Sequence, residues 1–294
     1  MSNNKIKKEL LSLGLIEEKN IREFFPSVRD RDDVRVMIDD SSGLIFLSET
    51  EHIEKSYYQE KPGTSYWSSV TREEGLKITE EDDRRRYDQF GDGVKGKKFL
   101  DVGCGLGGSL ELFGKSAEQV YGVEVQNDIR KILLDKGFKA FDSVFSIPEQ
   151  LRFDVISLFH VFEHLPEPLS ILQRLTQHLE PGGKIIIEVP HANDALIKTY
   201  SLDSFKKFTF WSEHLILHTR NSLYRYMETV GLKNIKINGF QRYPLANHLY
   251  WLHCGKPGGQ NIWKEMRNEK MERSYAEHLN ELDRTDTLIA IAEK

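Results

Sequence analysis

LDVGCGLGGSLELF, residues 100–113, is the stretch that decides the fold. It begins in an apolar run, passes through Gly103, Gly105 and Gly108 at the spacing G-x-G-x-x-G, and continues into a helix-like run. A glycine loop between a strand and a helix lets a ligand approach the backbone closely. The stretch therefore predicts an α/β unit with a ligand at this turn.

The residues that follow alternate between strand-like and helix-like patterns. This alternation predicts a mainly parallel sheet covered on both faces, with an antiparallel pair closing it at the C-terminal end. The predicted strands are 98–102, 120–125, 139–141, 153–159, 184–189, 234–240 and 287–292. The first predicted helix begins near residue 109, and the others cover 128–136, 168–179 and 219–230.

Two regions flank or interrupt this pattern. Residues 1–92 predict an N-terminal extension with a helix at 4–13, a hairpin at 34–47 and a polar lid or docking segment at 50–90. Residues 93–294 are predicted to form the ligand-binding domain, interrupted at 244–285 by an insertion without strand patterns. That insertion is expected to be an acceptor lid, a dimer contact or a packed flank of the sheet. Aromatic candidates for stacking on an acceptor are Tyr66, Trp67, Trp211, Tyr243, Tyr250 and Trp251.

Composition restricts the class of protein. The chain has 294 residues, a net charge of −5 and two cysteines, which disfavours a nucleic-acid partner and a disulfide framework. No run is long enough to span a membrane, and no apolar leader begins the sequence, so a cytoplasmic protein is expected. The basic run 84–86 is flanked by acids and is interpreted as a solvated helix face.

Two acidic residues indicate which ligand the glycine loop holds. Asp101 directly precedes the glycines, where a carboxylate would repel the pyrophosphate of NAD and suit a cationic ligand such as S-adenosylmethionine. Glu124 ends the next strand, where an acid binds ribose hydroxyls in such folds. An NAD-dependent oxidoreductase remains the alternative.

Several segments then resemble the successive motifs of class I S-adenosylmethionine-dependent methyltransferases, in the family's order. They are FLDVGCGLGGSLELF, YGVEVQ, FDVISLFHVFEHLPEP and LEPGGKIIIEVPH. The stretch WSEHLILHTRNSLYRYMETVGL is similar to a subgroup that acts on small molecules and in polysaccharide pathways. The resemblance implies a Rossmann-like, seven-stranded, mainly parallel sheet with its last strand antiparallel.

The resemblance also implies roles for individual positions around S-adenosylmethionine and its product, S-adenosylhomocysteine. The glycine loop would line the methionine part, Glu124 would hold the ribose, and the ends of the next strands would flank the adenine and the sulfonium. The implied cofactor-binding residues are Asp101, Gly103, Cys104, Gly105, Glu124, Val125, Asp142, Ser143, Phe159 and His160.

Histidines are the natural bases for a hydroxyl acceptor. His214 is favoured, followed by His191, although some methyltransferases act by positioning alone. The segment 160–164 also spells H-x-x-E-H, a zinc-protease pattern that requires a helix. Because Pro166 would break such a helix, no metal site is expected.

These patterns together predict a methyltransferase that acts on a small acceptor. The expected acceptor is a hydroxyl of a sugar or of a nucleotide-linked precursor of surface polysaccharide, and a homodimer is a candidate assembly. The alternative from another class is a non-catalytic adenosyl-binding module that docks a protein partner.

Overall fold

The computed structural model describes residues 4–53, 57–60 and 71–294. The strands are β1 (Ile21–Phe25), β2 (Val36–Asp39), β3 (Ile45–Leu47), β4 (Lys98–Val102), β5 (Gln119–Val123), β6 (Lys139–Phe141), β7 (Phe153–Phe159), β8 (Leu179–Pro190), β9 (Ile216–Leu217), β10 (Lys233–Phe240) and β11 (Thr287–Glu293). The helices are α1 (Lys5–Ser12), α2 (Tyr57–Glu60), α3 (Arg72–Val94), α4 (Gly108–Phe113), α5 (Asn127–Asp135), α6 (Pro168–Gln177), α7 (Ala195–Lys198), α8 (Asp203–Thr209), α9 (Arg220–Thr229), α10 (Leu245–Cys254), α11 (Gly259–Ile262) and α12 (Glu269–Glu281).

A seven-stranded sheet forms the centre of the C-terminal part, in the order β10-β11-β8-β7-β4-β5-β6. The pairs from β8 to β6 are parallel, whereas β11 is antiparallel to both β8 and β10. This arrangement confirms the predicted Rossmann-like fold. The carboxyl ends of β4, β5, β7 and β8 therefore meet at one edge, which we call the carboxyl edge, and ligands of open α/β sheets bind there.

A second, smaller sheet lies in the N-terminal part and has the order β1-β2-β3-β9. The predicted hairpin is confirmed, since β2 and β3 pair antiparallel with Val36 opposite Leu47. On the other side of β3, Ile45 lies opposite Leu217 of β9. The small sheet thus joins the N-terminal extension to the segment that follows α8.

Helix α3 covers 23 residues, and the sequence did not indicate it, since its region was predicted to be a polar lid or docking segment. It begins at a capping box in which Thr71 and Glu74 each bond to the other's backbone. Near its end, Phe90 stacks on Phe159 of β7 with the ring centroids 6.1 Å apart. Packing on the sheet rather than amphipathic patterning therefore fixes this helix.

The insertion between β10 and β11 contains α10, α11 and α12. Trp251 of α10 is 2% exposed, and its ring contacts those of Phe205 and Phe208 on α8. The insertion is thus packed against the domain at this point. Within the described ranges, none of the helices is both long and apolar enough to cross a membrane.

Candidate cofactor and acceptor site

The glycine loop joins β4 to α4 in a tight left-handed path. Gly103, Gly105 and Gly107 have φ values of 72°, 50° and 82°. A Cβ atom at Gly103 would lie 2.4 Å from Cγ2 of Val161. Position 103 therefore combines two demands that only glycine meets, a positive φ and a close neighbour.

Asp101 lies at the carboxyl end of β4, beside this loop, and is 3% exposed. The hydroxyl of Ser157 on β7 donates a hydrogen bond of 2.7 Å to its Oδ1. Burial raises the pKa of Asp101 to about 7, although the bond from Ser157 acts in the opposite direction. A cation beside this carboxylate would offset the cost of its burial.

Glu124 directly follows β5 and holds the loop from the other side. Its Oε2 accepts the amide of Gly105 at 3.0 Å, and its Oε1 accepts the amide of Gln126 at 2.8 Å. The residue is 4% exposed, and burial raises its pKa to about 7 against the effect of those two amides. Glu124 thus shapes the loop and presents a buried carboxyl group at the carboxyl edge.

Helix α3 covers the loop. Its Arg72 donates from Nε to the carbonyl of Leu106 at 2.9 Å, and its Asp83 accepts the hydroxyl of Ser109 at 3.0 Å. A Cβ atom at Gly108 would lie 2.1 Å from Oδ2 of Asp83. The missing side chain at Gly108, the third glycine of the fingerprint, therefore allows α3 to pack closely against α4.

His160 follows β7 with a φ of 54°, an uncommon value for a residue other than glycine. Its Nδ1 lies 3.3 Å from Oε1 of Glu163, and its Nε2 lies 3.2 Å from Oε1 of Glu188. Burial alone would lower the pKa of His160, but the two carboxylates raise it above its ordinary value. Both glutamates are fully buried, so this histidine is held between two fixed acids.

Two arginines of α3 complete this buried network. Arg85 and Arg86 each place Nη2 close to Oε1 of Glu188, at 2.8 and 2.9 Å. Burial would raise the pKa of Glu188, yet its bond with His160 and the arginines hold the pKa well below the usual range. The interpretation of residues 84–86 as a solvated face is therefore wrong for Arg85 and Arg86, because one side of α3 faces the sheet.

The two predicted bases lie in different environments. His214 lies beside His164, with ring centroids 4.9 Å apart, and burial, then His164, lower its pKa to about 3. His191 is 1% exposed, donates from Nδ1 to the carbonyl of Thr285 at 2.9 Å, and has a pKa lowered by burial to about 4. Each is thus a neutral imidazole at pH 7, and the two have different neighbours.

The other predicted cofactor residues lie along the same edge. Cys104 is buried with its side chain toward Gly122, whereas Val125 is 36% exposed after β5. After β6, Asp142 is exposed, and Ser143 accepts the amide of Phe145. The predicted cofactor residues thus lie at the ends of β4, β5, β6 and β7, along the carboxyl edge.

The predicted stacking aromatics divide into three groups. Tyr66 and Trp67 lie outside the described residues. Tyr250 and Trp251 are buried in the insertion, which favours packing as their role. Trp211 and Tyr243 form the third group, since each ring lies beneath a guanidinium, that of Arg29 at 4.3 Å and that of Arg242 at 5.1 Å from the ring centroid.

Sequence reasoning missed Glu188, Arg86 and Asp83. Glu188 sits within the apolar run KIIIEVP, where an isolated acid at the end of a buried strand could have been noticed. No local signal marks Arg86 or Asp83, because only the docking of α3 makes them face the sheet.

Comparison with known proteins identifies the family. A family model described as a methyltransferase domain matches residues 67–237, more than half of the chain. A ubiquinone biosynthesis O-methyltransferase of Idiomarina loihiensis is 29% identical over 170 residues, covering 52% of this chain and 69% of that protein. One from Coxiella burnetii is 27% identical over 168 residues, covering 52% of this chain and 71% of its own.

A solved structure shares the fold. A crystal structure described as a SAM-dependent methyltransferase from Archaeoglobus fulgidus matches with a TM-score of 0.51 and 22% identity. The match covers 79% of this chain and 97% of that one. From the family model and the glycine-loop site, the chain belongs to the methyltransferase domain family and is an S-adenosylmethionine-dependent methyltransferase.

Proposed function

We propose that this methyltransferase transfers the methyl group of S-adenosylmethionine to a hydroxyl group of a small acceptor bound at the carboxyl edge. The observation that carries the proposal is the position of Glu124 and Asp101 on one side of that edge and of His160 on the other. The name of the relatives, O-methyltransferase, supports a hydroxyl acceptor.

The residues of the site fit the cofactor. S-adenosylmethionine supplies an electrophilic methyl group on a sulfonium, together with an ammonium and ribose hydroxyls. Burial raises the pKa of both Asp101 and Glu124 to about 7, so both would gain from donors or positive charge nearby. We infer that Glu124 holds the ribose hydroxyls and that Asp101 faces the positive part of the molecule.

The remaining residues of the edge position the acceptor and exclude water. Transfer is an in-line displacement, so the enzyme must hold the acceptor oxygen in line with the methyl group. The network of Arg85, Arg86 and Glu188 fixes His160 next to the place where the acceptor would lie. A proton that leaves the acceptor hydroxyl must then go to a nearby base or to water.

Two histidines are candidates for that base, His214 and His191, and both stay predictions from the sequence. His160 is a positioning residue instead, since both of its ring nitrogens face carboxylates and its pKa is raised. Replacing each candidate histidine by glutamine tests this role. We expect that loss of the base lowers kcat by roughly 100-fold and leaves the dissociation constant of S-adenosylhomocysteine unchanged. A variant that lowers stability and kcat together would instead indicate a structural histidine.

Two acceptor classes are tested together. The names of the relatives favour a precursor in ubiquinone biosynthesis, whereas the sequence resemblance favours a sugar or a nucleotide-linked precursor of surface polysaccharide. The assay measures S-adenosylhomocysteine formed with a panel that contains both classes and matched compounds whose hydroxyl is replaced by hydrogen. Turnover with a hydroxyl compound but not its matched analogue is expected.

The alternatives predict different outcomes in the same experiments. An adenosyl-binding module would bind S-adenosylmethionine without turnover of any acceptor, and calorimetry with NAD would detect binding by an oxidoreductase. Self-association and a cytoplasmic location remain predictions, which sedimentation and cell fractionation test separately.

A further inference from the structure

Three potential metal ligands gather beside His160, behind the carboxyl edge. Glu163 and His164 belong to the short 3-10 turn Phe162–His164, which follows β7. His214 comes from the segment that precedes β9. One ligand atom from each of the three lies within 4.8 Å of the other two.

Each of the three side chains has a buried polar atom that is not satisfied. Within the described residues, Oε2 of Glu163, Nδ1 of His164 and Nδ1 of His214 are buried and lack a hydrogen-bond partner. Glu163 is fully buried. A buried carboxylate oxygen and two buried imidazole nitrogens without partners are costly, and such groups in native proteins usually bind something.

The three groups do not satisfy one another. The shortest contact between Glu163 and His164 joins Oε1 to Nε2 at 3.8 Å, which is too long for a hydrogen bond. The rings of His164 and His214 meet edge to face, at an interplanar angle of 69°. The three side chains therefore lie close together without a hydrogen bond between Glu163 and His164.

Neighbouring bonds fix the positions of these side chains. Oε1 of Glu163 faces Nδ1 of His160 at 3.3 Å, and Oε2 is buried without a hydrogen-bond partner among the described residues. The backbone carbonyl of Glu163 accepts the amide of Leu215 at 2.9 Å, so the turn and the His214 segment are tied together. Outer contacts of this kind orient metal ligands in known sites.

We propose that Glu163, His164 and His214 bind a divalent transition metal ion, for which Zn²⁺ is the best match. Two imidazoles and one carboxylate are the protein ligands of a common class of zinc site, and they leave a coordination position for water or another oxygen. The ion would join the turn after β7 to the segment before β9 and would hold Glu163 against His160. As a metal ligand His214 would not act as the base, which leaves His191 as the candidate for that role.

This site differs from the zinc-protease pattern in the sequence. The expectation that H-x-x-E-H does not form a metal-binding helix agrees with the turn seen at Phe162–His164. The third ligand is His214, which is distant in sequence and takes the place that His160 has in that pattern. The sequence-based expectation of no metal and the present proposal are thus opposed, and one measurement decides between them.

The test measures metal content directly. Untagged protein is purified without chelators and analysed by inductively coupled plasma mass spectrometry, then stripped and titrated with Zn²⁺ and Co²⁺. We expect about one metal ion per chain and visible Co²⁺ absorption of a low-coordinate site. His164→Ala and His214→Ala should each weaken Zn²⁺ binding by at least about tenfold, since changes even in outer contacts of metal sites cost that much.

His278→Ala is the matched control, because His278 is an exposed histidine on α12 away from the cluster. It should keep the full metal content and the wild-type rise in melting temperature with Zn²⁺. If a single alanine variant fails to fold, Glu163→Gln and the remaining histidine variant supply the same comparison. Wild-type protein that binds no Zn²⁺, or that binds it equally well in the ligand variants, would overturn the proposal.

Discussion

Replacing Glu124 by alanine should separate a role in cofactor binding from a role in folding. The carboxylate accepts two backbone amides, from Gly105 and Gln126, and losing these bonds should cost about 2–3 kcal/mol of unfolding free energy. Burial raises the pKa of Glu124 from 4.5 to about 7 even with these two bonds in place, so the charged side chain is unfavourable in the folded protein at pH 8 and its removal offsets part of that cost. The two effects oppose each other, and we expect the unfolding free energy to change by no more than about 2 kcal/mol.

Cofactor binding has no such compensation. Loss of the bonds that Glu124 would make to the ribose hydroxyls should cost about 1.5–3 kcal/mol, a rise of roughly 10- to 150-fold in the dissociation constant. Calorimetry with S-adenosylhomocysteine measures the affinity, and urea unfolding measures the stability. Glu118→Ala is the control, because Glu118 is an exposed acid at the opposite end of β5. An unchanged dissociation constant, or a loss of binding explained by unfolding, would refute the reasoning.

Further predictions concern the loop, its pH dependence and the buried network. Gly103→Ala should lower the melting temperature and cofactor affinity more than Gly137→Ala, since both have positive φ but only the first meets a neighbour, Val161 at 2.4 Å. Both buried carboxyl groups of the cofactor site have their pKa raised to about 7 by burial, so without cofactor the folded protein should lose stability as pH rises from about 4 to 7, as pH-dependent urea unfolding would show. Affinity for S-adenosylhomocysteine should rise over pH 6–8, about tenfold for each group that must ionise, and a flat calorimetric profile would contradict this. Glu188→Ala should cost about 3–5 kcal/mol in urea unfolding, because it removes the fully buried carboxylate that pairs with Arg85 and Arg86, whereas Glu149→Ala, at an exposed acid, should change little.

Local patterns were sufficient to place the predicted cofactor residues at the carboxyl edge. The glycine spacing and the acids at two strand ends position Asp101 and Glu124 there, because both follow from strand boundaries and the parallel order of the sheet. The helix α9 also begins where Thr219 predicted its cap, in a capping box with Ser222. These features depend on neighbours within a few residues in sequence.

The surroundings of His160 depend on tertiary contacts that no local pattern contains. Arg85 and Arg86 look solvated until α3 docks and brings them to Glu188, 103 and 102 residues away in sequence. Strand β9 has two residues, too few for a period-2 pattern, although it places His214 beside Glu163. The sequence therefore indicated the cofactor correctly, but it did not indicate which side chains surround His160 and His214.

The length of helix α3 affects the order in which ligands bind. As one rigid rod of about 34 Å, it contacts both the glycine loop and the surroundings of His160. Through Asp83 it is bonded to the first turn of α4, beside the glycine loop, and through Arg86 it is bonded to Glu188, on the side where we propose that the acceptor binds. A shift of the helix when the cofactor enters must therefore move the arginines as well. We expect the order of addition to matter, with the cofactor first and the acceptor second, and by thermodynamic reciprocity each ligand should strengthen retention of the other.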